Sequence, residues 1–96
     1  MEIPEIKLEL NPKSEEAKSV MGFRWARPEI GKRSKFGGQP DWLQGPDEPI
    51  CSCGKEMTFY AQLDSTGDDV VLADCGMIYV FVCFDCLETK SILQSY

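Results

Sequence analysis

Apolar and polar side chains alternate with the two-residue period of a β-strand in several stretches of this chain. The period is clear over residues 5–10 and again over 57–63. Residues 77–83 are β-branched and aromatic on both faces, which is typical of a central strand. Residues 88–94 predict a last strand, and residues 70–72 predict a short additional one. The hydrophobic pattern therefore predicts a mainly β fold.

Two other segments depart from the strand period. Residues 14–21 predict a short N-terminal helix, with Ser14 as its N-cap and acidic residues in its first turn. Residues 31–50 contain half of the Gly and Pro residues of the chain and predict loop and turns. Because long irregular segments are uncommon in compact domains, we expect an ordered loop that lies over the sheet and is anchored by Phe36, Trp42 and Leu43.

Length and composition place the chain among small soluble domains. Its 96 residues predict one domain over 1–96, and 43% hydrophobic with 27% charged residues is ordinary for a globular protein. The longest apolar run, residues 77–84, is too short to cross a membrane. The first residues lack the basic start and apolar stretch of a secretory signal, so we expect a cytosolic protein.

Five cysteines occur in this short chain, and histidine is absent. The cytosol keeps thiols reduced, so the cysteines are better interpreted there as metal ligands or reactive groups than as disulfides. The absence of histidine excludes every His-ligated metal site and every Ser-His or Cys-His catalytic pair. We find no catalytic constellation and expect a protein that is not an enzyme.

The spacing of the cysteines indicates a zinc site. Cys83 and Cys86 form a CxxC pair, and Cys51 and Cys53 form a CxC pair followed by Gly54. Four thiolates are a typical ligand set of structural zinc, and two such knuckles at either end of a β-hairpin are the plan of a zinc ribbon. The first pair has one intervening residue where two are usual. Either Cys51 or Cys75 therefore completes the site, and the one left over is a buried small hydrophobe.

Iron is the alternative metal, because a small, acidic, aromatic-rich chain with two cysteine knuckles also suits a rubredoxin-like electron carrier. A thiol redox function of Cys83 and Cys86 is less favoured. Redox CxxC pairs open a helix in a βαβ setting, whereas this pair ends a predicted strand.

The net charge of -6 is unevenly distributed along the chain. Residues 37–96 hold two lysines against ten acidic residues, and would attract a basic partner and repel nucleic acid. Residues 22–36 are basic, with five basic residues against one acidic residue. The basic and aromatic side chains of this segment are those of Arg24, Trp25, Arg27, Lys32, Arg33, Lys35 and Phe36. Such side chains could bind nucleic acid, but we favour an intramolecular counter-surface for the acidic half of the chain.

Three motifs in order resemble a known family. They are KFGGQPDWLQ at residues 35–44, CSCGKEMTFYAQLD at 51–64 and GMIYVFVCFDC at 76–86. Together they resemble the YwqG-like bacterial family of unknown function and, more distantly, the eukaryotic programmed-cell-death-protein-2 family. The resemblance implies a β-sheet domain with a zinc site at Cys53, Cys83, Cys86 and one more cysteine. It implies little about activity.

These observations predict a non-catalytic, zinc-stabilised protein-interaction module of the bacterial cytosol. A narrower hypothesis is an immunity protein that binds and blocks a basic toxin, because a small acidic domain could present carboxylates to a basic cleft. The alternative is a small iron or thiol redox protein that uses Cys53, Cys83 and Cys86. Nucleic acid and membranes are not expected as partners, and the oligomeric state is left open.

Overall fold

A computed structural model describes residues 2–11, 13–25, 29–72 and 75–95. It contains a five-stranded antiparallel sheet in the order β1-β2-β3-β4-β5, which confirms the predicted mainly β class. Strands that are consecutive in sequence are neighbours in the sheet, and the one helix among the described residues precedes β2. The elements are β1 Ile6–Lys7, α1 Glu15–Val20, β2 Lys35–Phe36, β3 Thr58–Asp64, β4 Met77–Val82 and β5 Thr89–Gln94. None of the described helices is long and apolar enough to cross a membrane.

The core lies on one face of β3 and β4. Along β4, Met77, Tyr79 and Phe81 are buried and alternate with partly exposed residues, so this strand has one face that is fully buried. Phe59 packs against Phe81 with ring centroids 5.6 Å apart. Since β4 lies between two hydrogen-bonded neighbours, its apolar sequence fits the predicted position inside the sheet.

The Gly- and Pro-rich loop covers this core face through Trp42 and Leu43, as the sequence predicts, whereas the third predicted anchor, Phe36, lies in β2 and packs against Tyr60. Trp42 lies against the rings of Tyr79 and Phe81, with centroids 4.7 Å and 5.9 Å away, respectively. Buried polar side chains fix the loop backbone: Gln62 accepts from the Asp41 N–H at 3.0 Å, and Tyr79 donates to the Asp41 carbonyl at 2.7 Å. These contacts satisfy backbone groups that a covered loop would otherwise leave unpaired.

Three predicted boundaries differ from the observed ones. The predicted strand at 5–10 is paired only at Ile6–Lys7. Beyond it the Leu8 N–H still donates to the Ser34 carbonyl at 3.0 Å, but the next partner, Arg33, donates its N–H to the Asp64 carboxylate instead, so the ladder ends there. β2 itself was not predicted and lies within the predicted loop 31–50. Residues 70–72 form no strand: Val70 donates to the Gly67 carbonyl and accepts from the Thr66 N–H, both at 3.1 Å, which closes a tight turn with a single isolated bridge.

Helix α1 begins where the sequence predicts. The Ser14 side chain accepts from the Ala17 N–H at 3.0 Å, which is the expected N-cap bond, and Glu15 and Glu16 occupy the first turn. No residue of the helix is buried, so this element contributes little to the core.

Two residues of the basic segment pair with acidic residues, and two of their three partners belong to the acidic half, as predicted. Arg33 pairs with Asp64 at 2.7 Å, and Lys35 pairs with Glu5 at 2.6 Å and with Asp41 at 3.3 Å. Burial alone would lower the pKa of Lys35, but the hydrogen bonds and charges of Glu5 and Asp41 raise it on balance. Arg27, a further member of the predicted basic segment, lies outside the described residues.

Candidate metal centre

Two cysteine knuckles meet at one end of the β3–β4 hairpin. The first knuckle, residues 51–54, comes shortly before β3, and the second knuckle, residues 83–87, follows β4 directly. Because Thr58 pairs with Val82, the start of β3 lies beside the end of β4. The register of the hairpin therefore brings together two cysteine pairs that are 30 residues apart in sequence.

Each knuckle is a tight turn closed by backbone hydrogen bonds. In the first, the Gly54 N–H donates to the Cys51 carbonyl at 2.8 Å, and Gly54 has a φ of 89°. In the second, the Leu87 N–H donates to the Cys83 carbonyl at 2.7 Å, and Leu87 has a φ of 62°. The first knuckle thus uses glycine where the left-handed conformation is needed, whereas the second places a leucine there, which sequence reasoning missed.

The sulfur atoms of Cys51, Cys53, Cys83 and Cys86 all lie within 4.8 Å of one another. The Cys51 and Cys86 sulfurs are 3.0 Å apart, and those of Cys53 and Cys83 are 3.7 Å apart. A tetrahedral site with metal–sulfur bonds of about 2.3 Å has sulfur–sulfur edges of about 3.8 Å. The Cys53–Cys83 separation fits this edge, and the Cys51–Cys86 pair would open slightly around an ion. This group of four cysteines could hold a metal ion.

Cys75 is not part of this group. It lies two residues before β4 begins, at the end of the strand opposite the second knuckle, and its carbonyl accepts from the Arg33 guanidinium at 3.0 Å. Of the two alternatives that the sequence left open, the structure brings Cys51 and not Cys75 next to Cys53, Cys83 and Cys86.

The four thiols differ in burial, and the pKa values of the two buried ones are shifted in opposite directions. Cys51 and Cys83 are buried, whereas Cys53 and Cys86 are exposed. The backbone N–H groups of Cys86 and Asp85 lower the pKa of Cys83 to about 7. At Cys51 the Cys53 N–H acts to lower the pKa, but the hydrogen bond with the Cys86 thiol and burial outweigh it and raise the pKa. Without metal, the lower pKa of Cys83 makes its thiol ionise more readily than that of Cys51.

Side chains outside the cysteines also join the two knuckles. The Glu88 carboxylate accepts from the Ser52 N–H and the Ser52 hydroxyl, both at 2.9 Å, and these bonds lower the pKa of Glu88. Lys55 forms an exposed ion pair with Asp85 at 2.9 Å. Sequence reasoning did not single out Ser52 or Glu88. Their position beside cysteines of the two pairs is the signal that could have found them.

We expect Glu88→Ala to weaken metal retention by roughly 10- to 100-fold, the usual effect of removing an outer partner of metal ligands. The reason is that Ser52, between Cys51 and Cys53, loses the acceptor that fixes its knuckle. Competition with a coloured chelator measures the loss. Asp85→Ala is the matched control, because it removes only an exposed ion pair, and such pairs contribute little. Equal losses in the two variants would contradict a specific role of Glu88.

A site of four thiolates is chemically closed. With four protein ligands, a tetrahedral ion such as zinc would keep no position for water or substrate, and would stabilise the fold rather than act as a Lewis acid. One knuckle precedes β3 and the other follows β4, so an ion held by both would link the start of β3 to the end of β4.

Comparison with known proteins gives one distant relative. A stretch of 62 residues, 64% of this chain, is 37% identical to the "Uncharacterized protein YpfL" of Salmonella typhimurium. The chain spans about 15% of the length of that curated relative. No protein-family model matches the chain, and no solved structure matches it. The chain is therefore similar, over part of its length, to one segment of a much longer bacterial protein.

Proposed function

We propose that this chain is a non-catalytic, zinc-stabilised protein-interaction module of the bacterial cytosol. The observation that carries the proposal is the group of four cysteine sulfurs on two knuckles, all within 4.8 Å of one another. In the proposed site Cys51, Cys53, Cys83 and Cys86 bind the ion, and Cys75 is a structural residue. The resemblance to the YwqG-like family agrees with a zinc site but remains a prediction.

Zinc is preferred over iron for two reasons. Thiolates bind both zinc and iron, but four such ligands are the usual set of a structural zinc site in a small domain. The hydrophobic core of a 96-residue chain is small, and a closed zinc site adds folding free energy. Native mass spectrometry of protein purified without chelator tests this. One zinc with four thiol protons displaced is the expected result, whereas bound iron would overturn the assignment.

The proposed partner is a basic protein, and a toxin neutralised by this chain is the narrower form of the proposal. Support comes from exposed carboxylates near the first knuckle, including Asp47, Glu48 and Glu56. Carboxylates arranged on one part of a protein steer a basic partner and increase its association rate. Co-expression with a candidate basic toxin from the same host tests the narrower form: survival is expected with the wild type and reduced with Asp47→Lys/Glu48→Lys. Unchanged killing in the presence of the wild type would refute it.

The surface charge reversal needs a matched control. Glu15 and Glu16 are also adjacent exposed acids, but they lie on α1, away from the knuckles in sequence. Glu15→Lys/Glu16→Lys changes the net charge by the same amount, and we expect it to leave protection intact. If both double variants lose protection equally, then net charge and not a local surface determines the effect.

A redox function is the second candidate, and the thiol geometry is the observation that favours it. The sulfurs of Cys51 and Cys86 are only 3.0 Å apart, and the pKa of Cys83 is lowered to about 7. Both features favour thiol chemistry in protein without metal. Two measurements distinguish the candidates. A ferric tetrathiolate centre absorbs visible light whereas a zinc site does not; a metal-free thiol protein is also colourless, but its mass spectrum would show no bound metal and free or oxidised thiols.

A further inference from the structure

The sheet has a second face, which the covering loop leaves open. In an antiparallel ladder, paired residues point to the same side, so the register defines rows of side chains across the sheet. Leu63 pairs with Ile78, and Ile78 pairs with Leu93. Leu63 is 45% exposed and Leu93 is 54% exposed. These three residues form an apolar row on the face opposite the core, which we name the outer face.

Two further rows complete the outer face. One runs across all five strands through Ile6, Phe36, Ala61, Val80 and Ser91. The other consists of Thr58, Val82 and Thr89. At the bulge between Phe59 and Ala61, the ring of Tyr60 packs edge-on against Phe36 at 5.3 Å. The outer face is thus mostly aliphatic and aromatic, with small hydroxyl groups beside β5.

Charge is absent from every strand position of the outer face, although 27% of the residues in the chain are charged. The charged residues of the strands lie on the opposite, core-side face of the sheet, because the register pairs them with residues of that face. They are Lys7, Lys35, Asp64 and Lys90. An apolar sheet face that carries no charge is unusual on a small protein that remains separate in water. The distribution indicates that another surface covers the outer face.

The chemistry of the outer face favours a second copy of this chain as the occupant. A charged partner surface would lose hydration there and find no opposite charge in return. Two copies each carry a net charge of -6, yet their outer faces would meet without bringing any carboxylates of the strands together. The chain is also thin, with extents of 43 × 27 × 19 Å. Stacked sheets lie about 10 Å apart, and two layers around one core are the usual architecture of a domain.

We propose that two copies pack outer face against outer face to form a β-sandwich dimer. The interface is isologous, which means that both copies use the same surface and are related by a two-fold axis. Each row of one copy therefore packs against the same row or a neighbouring row of the other copy. The exposed side chains of Leu63 and Leu93 become buried in it. This proposal is independent of the metal site, because the knuckles lie at one end of the hairpin and use none of the outer-face residues.

Sedimentation velocity of the metal-containing protein over about a hundredfold range of concentration tests the proposal. The wild type is expected to approach twice the chain mass of 10.8 kDa. Leu63→Glu and Leu93→Glu each place a carboxylate in the interface twice, once from each copy. We expect each to raise the dissociation constant by about a hundredfold or more, because an unpaired buried charge is strongly disfavoured. Both positions are half exposed in the single chain, so folding should be retained.

Leu10→Glu is the matched control. Leu10 is 44% exposed and lies outside the strands, so the same substitution should leave the dimer intact. A monomer at all concentrations would overturn the proposal. A dimer that both outer-face variants leave unchanged would also overturn it. Protection of the free edge of β5 in hydrogen exchange would then assign the association to edge-to-edge strand pairing.

Discussion

Cys83→Ser is expected to abolish metal binding and to unfold most of the protein at room temperature. Cys83 is buried at the end of β4, and its sulfur lies 3.7 Å from that of Cys53. In small zinc domains the ion contributes about 10–16 kcal/mol of apparent binding free energy. The total stability of a domain is only about 5–15 kcal/mol. Losing the ion should therefore remove most of the free energy of unfolding. Metal content by mass spectrometry and far-ultraviolet circular dichroism measure the two effects.

Two comparisons make this result specific to the site. Cys75→Ser removes a thiol from the other end of β4, and we expect it to keep one metal ion per chain. Wild-type protein treated with a strong chelator should resemble Cys83→Ser and should refold when zinc is returned. If the chelated wild type keeps the full cooperative transition of the untreated protein, the cysteine cluster does not stabilise the fold through a metal.

Asp64→Ala is expected to cost about 3–5 kcal/mol of unfolding free energy, the usual cost of breaking a buried ion pair by removing one partner. The Asp64 side chain is 1% exposed and the Arg33 side chain 13%. One Asp64 oxygen accepts from the Gly31 N–H at 2.7 Å and from the Arg33 N–H at 3.0 Å, and the other accepts from the Ser65 N–H at 2.8 Å. The substitution removes the acceptor of these amides and the opposite charge that faces the buried guanidinium. Urea unfolding monitored by tryptophan fluorescence gives the value.

An exposed ion pair serves as the control for Asp64. Glu15 and Lys18 are 3.4 Å apart on α1, and Glu15→Ala should change stability by no more than about 0.5 kcal/mol. The double variant Arg33→Met/Asp64→Leu should be more stable than Asp64→Ala, because it removes both buried charges together. A loss below about 1 kcal/mol for Asp64→Ala would show that water replaces the missing carboxylate, and would contradict a structural role for the pair.

The same pair shows how the basic segment is used. The charge distribution alone indicated that residues 22–36 would face the acidic half of the chain, and Arg33 and Lys35 do so through Asp64 and Asp41. Which acidic residues are used depends on the antiparallel register of β2 and β3, where Lys35 lies opposite Gln62. Composition cannot specify such a register, because it is determined by pairing between distant segments.

Local patterns in the sequence were sufficient for the strands β3, β4 and β5, for the N-cap of α1 and for the two cysteine pairs. These features depend on residues only a few positions apart: the alternation of side chains, the Ser14 hydroxyl three residues before the Ala17 amide, and the CxxC and CxC spacings. Short-range geometry is encoded directly in the order of the residues. The sequence by itself thus determined the fold class and three cysteines of the candidate site.

Only the tertiary structure decided which cysteine joins the other three, which residues hold the knuckles together and where the sheet is left open. Cys51 and Cys75 are equally available in sequence, but the hairpin register places Cys51 beside Cys86 and Cys75 at the far end of β4. The Ser52–Glu88 contact and the charge-free outer face depend on the same pairing of strands. The physical reason is that these features join segments tens of residues apart, whose relative positions are set by packing of the whole core rather than by local preference.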